Sequence, residues 1–69
     1  MARKRVGNRL KVLRQAKGLT QVELAEKAGI TQAYLAQLEA GVRGNPSLVV
    51  IQRLAQALGV RVLDLLKEL

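Results

Sequence analysis

The chain has no cysteine and no histidine. That excludes disulfides, thiolate or imidazole metal sites, a cysteine nucleophile and the usual neutral-pH base. Phe and Trp are also missing and Tyr34 is the single aromatic residue, so any core is built from the Leu, Val, Ile and Ala that make up most of the 49% apolar content. Such a core is modest in 69 residues, and a partner subunit would help it. No apolar run is longer than residues 48–51, whereas a membrane span needs roughly 18 residues and a signal-peptide core roughly 7 to 15. The expectation is one small, soluble, cytoplasmic domain over residues 1–69 that needs neither cofactor nor metal.

What is abundant is positive charge, +7 in total. Arg3, Lys4, Arg5, Arg9, Lys11, Arg14 and Lys17 occur without an intervening acid, and all five acids lie beyond them. A concentrated positive field attracts a polyanion, either nucleic acid or an anionic membrane surface. The plainer alternative is a solvated basic tail that keeps a small protein in solution. Charge alone does not choose between them.

Glycines punctuate the chain at Gly18, Gly29, Gly41 and Gly59, and each stretch between them has helical spacing. The reading is all-α: a five-helix bundle with helices over about residues 5–17, 20–28, 31–40, 47–58 and 61–68, preceded by a basic arm, 1–5. Thr20 and Glu23 have the spacing of a capping box, in which hydroxyl and carboxylate each accept a backbone N–H of the other residue. Gly29 suits the left-handed residue that ends the second helix, and Thr31 caps the third. The expected apolar stripes are Val6, Leu10 and Leu13, then Leu35 and Leu38, then Leu48, Ile51, Leu54, Ala55 and Leu58, and last Val62, Leu65 and Leu66.

Residues 20–40, TQVELAEKAGITQAYLAQLEA, have the spacing of a helix-turn-helix. That motif crosses two helices at about 90 to 120° over a tight turn, which requires a small residue at the approach and a glycine at the reversal. Ala25 and Gly29 fill those places. With Leu35 and Leu38 facing inward, the third helix leaves Ala33, Ala36, Gln37 and Ala40 outside, and Gln32 projects from its first turn. Alanine lets a helix lie close to base edges and its methyl can touch thymine, while glutamine can pair bidentately with adenine. Taken singly, these are also ordinary helix-surface residues.

The string LKVLRQAKGLTQVELAEKAGITQAYLAQLEAG, followed by NPSL and IQRLAQALGV, resembles the phage repressor and Cro helix-turn-helix family, also called the xenobiotic-response-element regulators. The resemblance covers about residues 6–66. It implies a lambda-repressor-like bundle, prokaryotic or phage-encoded, that binds a palindromic double-stranded DNA operator as a homodimer and regulates transcription, most simply as a repressor. By the same resemblance Gln32, Ala33, Ala36 and Gln37 would meet base edges, and Gln21 would touch a phosphate and brace the first reading residue. Thr31 and Tyr34 would reach the backbone, although a ring plugging the bundle edge is an equal alternative for Tyr34. Arg43, Gly44 and Asn45 would lie in the loop that follows the sugar-phosphate chain, and Arg3, Lys4, Arg5 and Arg9 are further phosphate candidates. Arg14 and Glu39 match a pair that the family uses as an internal salt bridge.

Several positions depart from the family pattern. Val49, Val50 and Leu63 are apolar where polar residues are usual, and Arg61 replaces the Ser or Thr that normally caps the fifth helix. An exposed patch of Val49, Leu63, Leu66 and Leu69 would suit a two-fold interface; local repacking of a small core is the alternative. Two other classes of function compete with DNA recognition. One is a protein-interaction module, such as an antitoxin or accessory subunit. The other is membrane-surface association through residues 2–17, which the lack of Trp or Phe anchors disfavours. Asp64 and Glu68 read as helix-surface acids without a partner, and no catalytic constellation is visible, so an enzyme is the weakest reading.

Overall fold

Five helices form: α1 (Ala2–Ala16), α2 (Gln21–Ala28), α3 (Gln32–Ala40), α4 (Leu48–Leu58) and α5 (Val62–Leu66). The computed structural model describes the backbone of residues 2–42 and 46–66 and the side chains of residues 7–42 and 46–66. Arg43, Gly44, Asn45, Glu68 and Leu69 therefore lie outside the described residues, as do the side chains of Arg3, Lys4, Arg5 and Val6. Among the described residues there is no strand, and no helix is long and apolar enough to cross a membrane.

Each helix contributes one fully buried leucine to the core: Leu10, Leu24, Leu35, Leu54 and Leu65. The main packing partners are α1 with α3, α3 with α2, α2 with α4, α4 with α5 and α5 with α1, so the helices form a ring around these side chains. Burying a leucine stabilises by about 1.5–3 kcal/mol. The five together supply much of what replaces the missing aromatics. Ala25, Ala28, Leu38, Ala55 and Leu58 complete the buried cluster.

Local chemistry sets where the helices begin and end. Thr20 and Glu23 form the full capping box, with the Glu23 amide donating to the Thr20 hydroxyl at 3.1 Å and the Thr20 amide donating to the Glu23 carboxylate at 2.8 Å. The Ser47 hydroxyl likewise accepts from the Val50 amide at 3.2 Å.

Three expectations are corrected. Of the basic segment 1–5 expected as an arm, residues 2–5 are instead part of α1, which is helical from Ala2; Ala, Arg and Lys are good helix formers, and neither Gly nor Pro interrupts them. Leu48 and Leu66, both expected in apolar stripes, belong to no core stripe and are 61% and 45% exposed. Helical side chains lean toward the N-terminus, so the first residue of α4 reaches out past the helix rather than onto its neighbours. Asp64 is half-buried and partnered: its carboxylate accepts the Arg61 amide at 2.9 Å and lies 3.8 Å from the Arg61 guanidinium. α5 is thus braced from within its first turn although Arg61 offers no acceptor, half of a capping box.

One glycine has a role that sequence spacing did not reveal. Gly7 is buried where α1 crosses the last turn of α3, and a Cβ there would overlap the Leu38 carbonyl oxygen and press on that of Glu39. Only a residue without a side chain lets the two backbones approach so closely.

Candidate nucleic-acid interface

The α2–α3 unit is assembled from short-range signals. Gly29 takes φ 70° and ψ 33°, the left-handed conformation that glycine adopts without penalty. Its amide donates to the Glu26 carbonyl at 3.3 Å and the Ile30 amide donates to the Ala25 carbonyl at 3.0 Å, the pair of bonds that closes a helix in a Schellman motif. The chain reverses over Gly29 and Ile30, and Thr31 starts the next helix by accepting the Tyr34 amide at 3.0 Å. That leaves the O–H of Thr31 as an outward donor.

α3 is anchored along one side by Leu35, Leu38 and Glu39, all buried. The opposite side presents Gln32, Ala33, Gln37 and Ala40 to solvent, with Ala36 half-buried between Gln32 and Ala40. At about 100° per residue these five span an arc of about 140°, and a helix about 10–12 Å across with its side chains fits a groove about 12 Å wide. Tyr34 is half-buried against the core, as a ring at the bundle edge, and it retains polar or ring contacts of its own.

Beneath that face lies a buried ionic network. Arg14 of α1 is 9% exposed and Glu39 of α3 is 7% exposed. The Arg14 Nε and Nη2 donate to the two carboxylate oxygens of Glu39 at 2.7 and 3.0 Å, and Nη1 donates to the Leu19 carbonyl at 2.8 Å. The side-chain hydrogen bond with Glu39 raises the Arg14 pKa above its ordinary value, burial opposing. Gln21, at the first position of α2, donates its Nε2 to the same carboxylate at 3.1 Å. Three helices thus meet on Glu39.

The remaining sequence candidates are more dispersed. The Arg9 Nε donates to the Asp64 carbonyl at 2.9 Å, which ties α1 to α5. Val50 is half-buried and packs on the core, whereas Val49 and Leu63 are 55% and 69% exposed and Leu66 is also exposed. Exposed Leu48 adjoins this apolar set at the start of α4. Neither the close approach at Gly7 nor the Gln21 link to Glu39 is among the sequence expectations. A lone glycine inside a helical pattern is a signal for the first, but no spacing rule signals the second.

Comparison with known proteins agrees with this geometry. The helix-turn-helix family profile matches residues 10–65. The immunity repressor of Bacillus phage phi105 is 46% identical over 63 residues, covering 91% of this chain and 43% of the repressor. SinR of Bacillus subtilis, a helix-turn-helix transcriptional regulator, is 40% identical over 63 residues, covering 91% of this chain and 57% of SinR. The chain thus spans about half the length of these two relatives. A crystal structure of SinR in complex with DNA superposes with a TM-score of 0.87 at 39% identity, covering 90% of this chain and 98% of that one. The restriction-modification controller protein C.AhdI of Aeromonas hydrophila superposes at 0.86 with 44% identity, covering 90% and 92%. With the matched segment running from the first core leucine, Leu10, to the last, Leu65, and the same bundle in these relatives, the chain belongs to the helix-turn-helix family.

Proposed function

We propose that this protein is a DNA-binding transcriptional repressor of a bacterium or phage, working in the cytoplasm, that lays α3 in the major groove of a double-stranded operator. The observation that carries the reading is the two-sidedness of α3: one side held by Leu35, Leu38 and Glu39, the other a small, amide-bearing surface open to solvent. Gln32 and Gln37 read bases, Ala33 and Ala36 allow close approach, and Thr31, Tyr34 and Gln21 touch the phosphate chain. Arg3, Lys4, Arg5, Arg43 and the Gly44 and Asn45 amides add backbone contacts, which supply most of the affinity and no sequence information. Arg9 contributes only the guanidinium donors left over from its bond to Asp64.

The working form in this reading is a homodimer on a palindrome, joined through Val49, Leu63, Leu66 and Leu69, with half-sites about 34 Å apart. Val49, Leu63 and Leu66 lie on α4 and α5, which are not the main neighbours of α3, so two copies can meet there and leave both reading helices uncovered. Selection from a random duplex pool at fixed salt tests this directly. A recovered palindrome supports both specificity and symmetry. Gln32→Ala and Gln37→Ala should then each lose about 1–3 kcal/mol on the recovered operator while keeping most of their affinity for scrambled duplex. Equal losses on both duplexes refute the base-reading roles.

A further inference from the structure

Resting on the duplex-binding reading, we propose that Glu39 is a positioning residue for recognition: the side of its carboxylate that Arg14 leaves accessible presets the Gln21 amide at the seam between α2 and α3. Glu39 Oε1 accepts from both Arg14 Nη2 at 3.0 Å and Gln21 Nε2 at 3.1 Å, while Oε2 takes the Arg14 Nε at 2.7 Å. A carboxylate facing a guanidinium in this forked arrangement has no proton to give and is an acceptor only. Gln21 must therefore turn its NH2 inward. The usual two-fold ambiguity of a glutamine amide is thereby removed, and the outward presentation is fixed as one carbonyl oxygen and one remaining N–H.

Gln21 is half-buried and stands at the first position of α2, directly after the capping residue Thr20. Its backbone is locked by the cap and its amide by Glu39. An unconstrained glutamine gives up rotamer freedom on meeting a ligand, a cost equivalent to about two- to tenfold in affinity. A prearranged one has already lost that freedom on folding. The ion pair thus acts through Gln21 on duplex affinity, in addition to joining α1 to α3.

The test is a double-mutant cycle read by duplex affinity, with a side-chain amide spectrum as a second measurement. Replacing both charges together, as Arg14→Met with Glu39→Leu, removes the acceptor without stranding a charge, and such apolar replacements of buried pairs usually fold. Gln21→Ala should weaken binding to the selected operator more in the otherwise unchanged protein than in the apolar-pair background, the two losses differing by about two- to tenfold. In the unliganded native protein one Gln21 amide proton should be shifted downfield and slow to exchange, and the Arg14→Met, Glu39→Leu variant should lose that signature. Equal Gln21→Ala losses in both backgrounds overturn the proposal. So does a native Gln21 amide that behaves as fully solvated, a result obtainable even if the apolar pair does not fold. A protein that selects no duplex refutes the duplex reading and removes the recognition role with it, while equal losses on a selected operator refute only the positioning role.

Discussion

Glu39→Ala tests the physical account of the fold most severely. The substitution deletes the acceptor for two Arg14 hydrogen bonds and one from Gln21, and it leaves the guanidinium buried with only the Leu19 carbonyl. Stranding one member of a buried pair costs about 3–5 kcal/mol. Small domains hold about 0.05–0.15 kcal/mol per residue, so a chain of 69 residues has roughly 3–10 kcal/mol in all. At about 4–8 °C of Tm per kcal/mol for a domain of this size, the midpoint should fall by on the order of 12–40 °C. The stranded cation has no titration escape. A base whose pKa is raised on folding adds stability that is complete below its unfolded value and is lost only as pH rises through the folded one, and for Arg14 both lie in strongly alkaline solution. Thermal and urea unfolding followed by circular dichroism at neutral pH measure the effect. A midpoint within a few degrees of the native protein would show that the pair is not holding α1 to α3. The Arg14→Met, Glu39→Leu variant separates stranding from simple loss of the interaction, since it should be near neutral or more stable.

Gly7→Ala should destabilise although alanine is the better helix former: overpacking against the Leu38 and Glu39 carbonyls costs about 1–3 kcal/mol, against up to about 1 kcal/mol gained in propensity. A raised Tm would show that α1 can shift freely on α3. Glu23 should titrate below an ordinary glutamate, because the Thr20 amide and then the Thr20 hydroxyl bond its carboxylate; its contribution to stability is full above the ordinary range and fades as pH falls through the lowered value. Thr20→Ala should move that titration part of the way back and cost about 1 kcal/mol, as NMR titration and melting would show. Leu63→Glu with Leu66→Glu should give monomers by sedimentation with an unchanged helical spectrum, because both side chains are exposed in the single chain. Native protein that is already monomeric at high concentration would refute the dimer.

Much of this fold is legible because its punctuation is local. The Thr20–Glu23 box, Thr31, Gly29 and Gly59 act within one turn, so sequence spacing locates the ends of α2, α3 and α4 to within a residue. The less legible features depend on what lies across the bundle. A lone glycine in a helical pattern marks Gly7 as unusual but does not say that the end of α3 will press against it, and Leu48 fits its helical stripe yet is left exposed among the described residues. Asp64 is tied at two different atoms: its carboxylate takes the local Arg61 amide, while the long-range bond from Arg9 falls on its backbone carbonyl. Arg14 and Glu39 are 25 residues apart and were paired through family resemblance, not through any spacing rule. The outward face of α3 is legible because helical periodicity assigns the inside and the outside together; periodicity puts Ala36 within that face, and its partial burial comes from the tertiary packing instead.

On α3 the residues that hold the helix in place are separate from those proposed to read bases. A helix of nine residues is marginal by itself in water. Its order comes from the Thr31 cap, the close at Gly41, the two buried leucines and Glu39, and each of these acts on the inner face or at an end. Gln32 and Ala33 contribute to none of these supports, so replacing them with other polar helix formers should alter stability by no more than about 0.5 kcal/mol. Under the proposed reading, base readout at the same positions is worth about 1–3 kcal/mol per good contact. Affinity for one duplex over another can therefore be altered at these two positions by more than the fold would register, provided the buried side of the helix is left intact.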